Sequence, residues 1–169
     1  LLVSHREVAG LLPMRECIDA MADAFRALAI GDARLPLRQV IALPNSPNLI
    51  ALMPGQLGVN AREKHRASIG AKVITVFPGN DATPLDSHLG VVLLFEADMG
   101  RLLAIIDASS VTAIRTAAVS GVATKLLSNP DSGDLAIVGA GVQAMTHLEA
   151  MRCVRTINRV RIWSRSPER

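Results

Sequence analysis

The chain contains no tyrosine, and three phenylalanines and one tryptophan hold its aromatic content to 2%. Proteins that follow single-stranded nucleic acid stack bases on aromatic rings. That platform is missing, the formal net charge is only +3, and the basic residues are scattered except around Arg62–Arg66. No nucleic-acid partner is expected. Cysteine is as scarce. Cys17 and Cys153 lie far apart without paired neighbours, which argues against a zinc site or a disulfide framework and suits a reducing cytoplasm. No apolar run approaches the roughly 18–20 residues that span a bilayer. The opening residues, Leu1-Leu-Val-Ser-His-Arg6, lack the charged-then-apolar pattern of a secretory leader. A cytoplasmic location and no membrane partner are expected. Internal repeats, low-complexity tracts, paired-carboxylate spacing, a Ser-His-Asp order and metal-ligand clusters are missing too, so no metal is expected.

What is present suits a packed core. Half the residues are apolar and 20% are charged, a globular balance that argues against disorder. A length of 169 residues has room for one domain, or one and part of another. The most informative stretch is an apolar, β-prone run, Asp134-Leu-Ala-Ile-Val138. It feeds Gly139-Ala-Gly-Val-Gln-Ala144, and a helix-capable segment, Met145 to Val154, follows. Strand, glycine turn and helix in this order are what a dinucleotide site requires. Gly139 permits the tight turn, Gly141 lets the backbone approach a pyrophosphate, and Ala144 lets the helix pack on the strand. Free N–H groups at the helix start face the phosphates.

A second strand, Arg159-Val-Arg-Ile-Trp163, should end at the adenosine ribose. NAD sites usually place an acidic residue about 20 residues after the glycines, to accept from the ribose 2′-hydroxyl. Here the tip reads Ser164-Arg165-Ser166, with no carboxylate before Glu168. Hydroxyls and a guanidinium suit a 2′-phosphate, so NADPH is favoured over NADH. In the competing reading Arg165 only stacks on adenine or faces solvent. A nucleotide fold needs further βα units to close its sheet, so the chain is expected to be a piece of a longer protein.

Upstream, Met14, Ile18, Met21, Phe25 and Leu28 recur at helical spacing. They predict an amphipathic helix over Leu12–Ile30, with Pro13 in its first turn and Gly31 after its last. Leu37–Leu43 and Leu49–Met53 read as strands around a Pro44-Asn-Ser-Pro47 turn, the second ending at Pro54-Gly55. Gln56–Ser68 is polar and basic without clear periodicity and reads as an exposed loop or flap. Ala71–Phe77 is a strand and Pro78–Pro84 a loop. Leu89–Phe95 and Leu102–Ile106 are antiparallel strands joined around Asp98-Met-Gly100. Thr112–Leu127 is helical, and Asn129-Pro-Asp-Ser-Gly133 reads as a boundary between domains. The fold class is therefore α/β: a mixed α+β domain with two helices over residues 1–130, then the start of a dinucleotide-binding domain over 131–169.

Three cations stand out. Lys72 lies mid-strand in an apolar run, either as an edge-strand lysine with its head in water, or as a cation presented to a carboxylate or an amine with its pKa lowered by burial. Arg115 stands near a helix start followed by small residues, as a solvated or capping arginine or as a bidentate carboxylate clamp. Arg38 has the same two readings. Cations on separate elements suit the carboxylate of an amino or imino acid. Ser87-His88 follows the Pro/Gly-rich loop, and a lone histidine at a strand start is more often packed or exposed than catalytic; His147, about two turns into the nucleotide helix, reads as structural.

Four blocks together resemble the ornithine cyclodeaminase/μ-crystallin family: Gly70-Ala-Lys-Val-Ile-Thr-Val-Phe-Pro-Gly-Asn80, Ser87-His-Leu-Gly-Val-Val-Leu-Leu-Phe95, Ile114-Arg-Thr-Ala-Ala-Val-Ser120 and Ile137-Val-Gly-Ala-Gly-Val-Gln-Ala144. They stand in family order and spacing along nearly the whole chain. The resemblance implies a homodimer whose N-terminal substrate and dimerisation domain precedes a Rossmann NAD(P)-binding domain, truncated here. It implies hydride transfer at a Cα–N bond: ornithine to proline plus ammonia with NAD⁺, or reduction of cyclic ketimines such as pyrroline-2-carboxylate with NAD(P)H. Some relatives are amino-acid dehydrogenases. By matched position Lys72 and Arg115 would act on the substrate carboxylate, Arg38 would help, and Ser87 would line the substrate pocket. Thr116 and the turn residues Gly139, Gly141, Val142, Gln143 and Ala144 would contact the cofactor, with Ser164, Arg165 and Ser166 at its ribose. The acidic residue that family cyclodeaminases use lies beyond Arg169, so the fragment alone is expected to be inactive. The Ser164-Arg165-Ser166 tip looks more like that of the NADPH-binding ketimine reductases. A non-catalytic NADPH or small-ligand binding protein of crystallin type is the alternative.

Overall fold

The computed structural model describes residues 1–58 and 67–165. By their contacts they divide into two units, one of Leu1–Gly10 with Ala24–Val111 and one of Leu11–Asp23 with Thr112–Arg169.

The first unit is built on a mostly antiparallel sheet. Its strands are β1 (Leu2–Val3), β2 (Ala33–Arg34), β3 (Gln39–Ala42), β4 (Leu49–Leu57), β5 (Ser68–Val76), β6 (His88–Glu96) and β7 (Leu102–Asp107). They run in the order β1-β7-β6-β5-β4-β2, with β3 also paired to β4. Only β1 against β7 is parallel. Strand alternation sends one set of side chains inward. Ala51 and Ile74 are buried there with Ala108, and Leu49, Met53, Val76 and Val92 pack against them. Gly90 lies opposite Ile74, where an added Cβ would run into the Val73 carbonyl.

Several boundaries differ from the sequence expectation. Pro54-Gly55 does not end β4. Between the segments paired to β3 and to β2, β4 has a neighbour on one side only, and a proline that lacks an N–H is tolerated at such a place. Gln56, Leu57 and Ser68 are accordingly strand and not loop, while residues 59–66 of that predicted loop lie outside the described residues. The Pro78–Pro84 loop contains a short 3-10 turn, Pro78–Ala82. It is closed by the Phe77 N–H donating to the Ser87 carbonyl at 2.8 Å and by Asn80 Nδ2 donating to the Asp86 carbonyl at 2.9 Å.

Among the described residues three α-helices, not two, precede residue 130. The unexpected one is α1 (His5–Leu11). Ser4 opens it with one half of a capping box, its backbone N–H donating to the Glu7 carboxylate at 2.9 Å, and its hydroxyl donates to the same oxygen at 2.5 Å. The expected amphipathic helix is α2 (Met14–Ala29). The long helix α3 (Ala108–Leu127) begins four residues before Thr112, because Asp107 caps it: the Ser110 N–H donates to Asp107 Oδ1 at 2.8 Å. Arg115 therefore sits two turns into α3 and not at its start.

In the second unit β8 (Asp134–Val138), α4 (Val142–Val154) and β9 (Arg159–Trp163) form a βαβ unit. Its strands are parallel and in register from Asp134 opposite Arg159 to Val138 opposite Trp163. The core is made where α2, α3 and α4 meet, through Met14, Cys17, Ile18, Ala117, Ala118 and Ala150 among others. Small residues let the helices approach closely. A Cβ on Gly121 would lie 3.0 Å from Ile18 Cδ1 and 3.6 Å from the Ala150 Cβ. At the far end of α3, Arg155 caps the orphan carbonyls. Its Nη2 donates to the carbonyls of Thr124, Lys125 and Ser128 at 3.0, 3.1 and 3.0 Å, and its Nε donates to Ser128 Oγ at 3.1 Å. Among the described residues no helix is long and apolar enough to cross a membrane.

The Asp107 cap generates a pH-dependent prediction. Burial acts to raise this carboxyl, but the Ser110 backbone N–H, the Ser110 hydroxyl and His5 outweigh it and hold the group below the usual carboxylate range. A depressed acid stabilises the fold fully above its unfolded pKa, and that stabilisation is lost as pH falls through the folded value. Asp107→Ala should lower unfolding free energy near neutral pH by about 0.5–2 kcal/mol. Asp107→Asn keeps a capping side chain and should change it little, while flattening the acid limb. Urea unfolding across the acid range checks both.

Candidate functional site

The glycine stretch forms the turn that joins β8 to α4, and the helix begins at Val142, three residues before the expected Met145. Gly139 has φ +114°, a region that residues with a Cβ rarely adopt. Its N–H donates to the Trp163 carbonyl at 2.7 Å, which carries the β8–β9 ladder one residue past the strands. Gly141 is the helix N-cap in an extended conformation, with no side chain to occupy the first-turn N–H groups. The Ala144 N–H turns back to the Gly141 carbonyl at 2.9 Å. The N–H groups of Val142 and Gln143 precede the first intrahelical bonds, and together with the dipole they favour an anion at this end of α4.

Two concavities adjoin the turn. One of about 310 Å³ is lined by Val138, Gly139, Ala140, Gly141, Trp163, Ser164 and Arg165, at the carboxyl ends of both strands. Ligands of open α/β sheets bind at such ends. A larger one, about 370 Å³, runs along β8 and the inner side of α4 past Gln143, His147 and Met151. Among the described residues β8 is paired only with β9, so this second space follows the other, unpaired edge of β8. The smaller concavity is the better seat for a dinucleotide because it joins the glycine turn to Ser164 and Arg165. Two glycines without Cβ atoms, an uncapped helix start and a guanidinium fit a pyrophosphate and an adenosine ribose. Ser166 lies outside the described residues.

The candidate substrate residues are divided between the units. Lys72 occupies the middle of β5, a central strand, between Met53 of β4 and Val92 of β6. The edge-strand reading is thereby overturned. Lys72 is half-buried and shares the inward face with Ala51 and Ile74, since directly opposed residues point to one side of a sheet. Arg38 is exposed and immediately precedes β3. Gln39 pairs with Leu52, next to the Met53 that faces Lys72, so Arg38 stands two strands from Lys72 in the same sheet. Ser87 is half-buried at the end of the loop before β6, with its Oγ 3.0 Å from His88 Nδ1.

The second unit holds the others. Arg115, half-buried on α3, has no hydrogen bond or ion pair among the described residues. Burial pushes the Cys17 thiol up, and the nearby Arg115 charge opposes that shift. Thr116 donates its hydroxyl back to the Thr112 carbonyl at 2.6 Å. Sequence reasoning missed Ser120, whose Oγ is 3.0 Å from His147 Nε2 and links α3 to α4; a pair 27 positions apart leaves no local signal. It also missed the cluster of His5, Asp107 and Ser110. Ser110 Oγ lies 2.7 Å from His5 Nδ1 and Asp107 Oδ1 lies 3.5 Å from that same nitrogen. In a nucleophilic triad the serine and the carboxylate use different ring nitrogens. This cluster caps α3 instead. Among the described residues no group of three or more His, Cys, Asp or Glu is arranged to hold a metal ion.

Residues 1–169 match the ornithine cyclodeaminase/mu-crystallin family. Mouse (Mus musculus) ketimine reductase mu-crystallin is 38% identical over 138 residues, covering 82% of this chain and 42% of that protein. The solved structure of Thermococcus litoralis Δ1-pyrroline-2-carboxylate reductase in complex with NADH and L-proline is similar at TM-score 0.90 and 36% identity, covering 99% of this chain and 50% of that one. An archaeal alanine dehydrogenase dimer with bound NAD is similar at TM-score 0.87 and 30% identity, over 97% of this chain and 48% of that one. The chain spans about half the length of these relatives.

The two turn glycines should respond differently to substitution. At Gly139 the positive φ makes Gly139→Ala strained, with an expected loss of about 1–3 kcal/mol in unfolding free energy. At Gly141 the backbone is ordinary and nothing lies within 4 Å of an added Cβ. Gly141→Ala should leave stability within about 0.5 kcal/mol, yet weaken dinucleotide binding about tenfold or more by crowding the pyrophosphate. Unfolding curves and cofactor titrations of both variants separate the two effects.

Proposed function

The chain belongs to the ornithine cyclodeaminase/mu-crystallin family, and from that premise we propose that it forms the substrate-binding part and the first βαβ unit of an NAD(P)-dependent oxidoreductase. The enzyme acts at the Cα–N bond of a small amino or cyclic imino acid, with reduction of a cyclic ketimine as the favoured direction. The observation that carries this reading is the uncapped glycine turn, Gly139–Gly141, opening onto one concavity with Ser164 and Arg165. The relatives support it, as a ketimine reductase and as a pyrroline-2-carboxylate reductase with NADH and L-proline.

Residues 1–130 serve substrate binding and dimerisation in this reading, and residues 131–169 begin the dinucleotide domain. When bound, the nicotinamide supplies the hydride chemistry. The protein contributes charge and position. Arg115, whose planar fork matches a carboxylate, binds the substrate carboxylate. Lys72 serves the same group as a cation held at the centre of a sheet, with Arg38 as helper and Ser87 as a hydroxyl lining the pocket. Thr116, Val142, Gln143 and Ala144 belong with the two glycines to the cofactor site. Ser164 and Arg165 favour NADPH over NADH, because from Arg159 to Arg165 the strand and its tip offer a guanidinium and no carboxylate. A homodimer is supported by the dimeric alanine dehydrogenase. It is also supported by the outward face of the sheet, where Ile41, Ile50, Leu52, Ile69 and Leu89 are 68%, 36%, 36%, 42% and 37% exposed, an apolar surface of the kind that marks interfaces. A cytoplasmic location fits two free cysteines.

The test uses protein expressed from its complete gene and supplied with pyrroline-2-carboxylate and either reduced cofactor. Loss of reduced nicotinamide absorbance is expected, faster with NADPH. Formation of proline and ammonia from ornithine would instead assign the cyclodeaminase reaction, and tight NADPH binding without turnover of either substrate would assign a binding protein. Arg165→Ala should raise the NADPH dissociation constant about tenfold to a hundredfold through loss of a charge-assisted contact, with little change for NADH. Equal losses for both cofactors would rule out a role for Arg165 at the 2′-phosphate.

A further inference from the structure

His147 lies one helical turn beyond Gln143 on α4, and both of its ring nitrogens are engaged. Nδ1 is 2.7 Å from the Gln143 carbonyl oxygen, and Nε2 is 3.0 Å from Ser120 Oγ on α3. A carbonyl oxygen can only accept, so Nδ1 carries the hydrogen. With Nδ1 as the donor, Nε2 is the nitrogen left to accept, and the Ser120 hydroxyl donates to it. Ser120 Oγ also lies 3.5 Å from the Thr116 carbonyl. The hydroxyl has one hydrogen, which goes to Nε2, so the polar line runs from the first turn of α4 to Ser120 on α3, one turn beyond Thr116. His147 borders the larger concavity along β8, which shares Gly139 and Gly141 with the smaller one assigned to the dinucleotide.

We propose that His147, oriented by Ser120, is a positioning residue for the dinucleotide. This rests on the NAD(P) reading of the glycine turn given above. The Gln143 carbonyl already accepts from the backbone in an α-helix, and the imidazole is a second donor to the same oxygen. That second bond sets the tilt of the peptide group between Gln143 and Ala144. Its neighbours are the N–H groups of Val142 and Gln143 that an incoming pyrophosphate meets. Ser120 supplies the anchor on α3, so the first turn of α4 is held from a second helix and not by its own residues alone. Packing of the two helices does not require this tie, because Gly121 and Ala150 already meet next to it. The polar pair therefore acts on the direction of the turn and not on the existence of the core.

The experiment compares the protein from its complete gene with Ser120→Ala, His147→Ala, His147→Asn and the Ser120→Ala/His147→Ala double variant. Dissociation constants for NADPH and NADH are read by fluorescence, and unfolding midpoints are read in urea. Each alanine variant should weaken both cofactors about fivefold to tenfold, with the double variant no weaker than the singles because the two side chains act as one unit. His147→Asn, which retains an N–H donor near the Gln143 carbonyl, should recover part of the loss. Lowered midpoints with unchanged dissociation constants would overturn the proposal and leave a purely structural bond. Nitrogen-15 NMR of the parent imidazole decides the relay without any variant: a hydrogen on Nδ1 is expected, and one on Nε2 at neutral pH overturns it. Parent protein that binds neither cofactor overturns the nucleotide reading together with this one. Parent binding that the variants match overturns this one alone.

Discussion

The second unit depends on how closely α3 can approach its neighbours. At Gly121 a side chain would meet Ile18 of α2 on one side and Ala150 of α4 on the other, and Ala117 and Ala118 one turn earlier are fully buried. Close-packed interiors leave no slack for an added methyl group. The run of small residues in α3 is thus a packing requirement, and it sets where α4 lies. Since α4 begins at the glycine turn, the same requirement fixes where the turn lies against the ends of β8 and β9.

Close packing sets the distance between helices but not the direction of the groups at their ends. That is done by polar bonds at three places. Asp107, Ser110 and His5 fix the start of α3, Arg155 gathers the carbonyls at its end, and Ser120 with His147 ties its middle to the first turn of α4. Each uses side-chain atoms to satisfy or orient backbone groups that a helix cannot satisfy alone. The start of α4 is the exception. Gly141 offers nothing to its own N–H groups, and an end left open in this way is suited to a ligand anion.

Much of this was legible in the chain because the signals are local. The 3.6-residue spacing from Met14 to Leu28 predicts α2 to within two residues at each end, and the runs around Val73 and Val92 predict adjacent strands. Strand, glycines and helix from Asp134 to Val154 predict the βαβ unit. Local signals were also overlooked. Ser4 and Glu7 stand at capping-box spacing that announces α1, and Asp107 with Ser110 marks the true start of α3, which moves Arg115 from the first turn to the third. Pro54-Gly55 misled, since a proline breaks a strand only where its N–H is needed, and that depends on which neighbour lies beside it.

The sequence by itself determined α2, the central strands of the first unit, the strand–glycine turn–helix order of the second, and the charge that follows β9. Helical period, strand alternation and turn chemistry act over a few residues, and a linear reading captures them. Only the tertiary structure decided that Lys72 sits in a central strand on the inward face, because sheet order is set by pairing between distant segments. It also decided that Arg115 is half-buried near Cys17 and that His147 meets Ser120 across two helices. Burial and partnership are properties of what the fold brings from elsewhere in the chain, and no residue's immediate neighbours in sequence contain them.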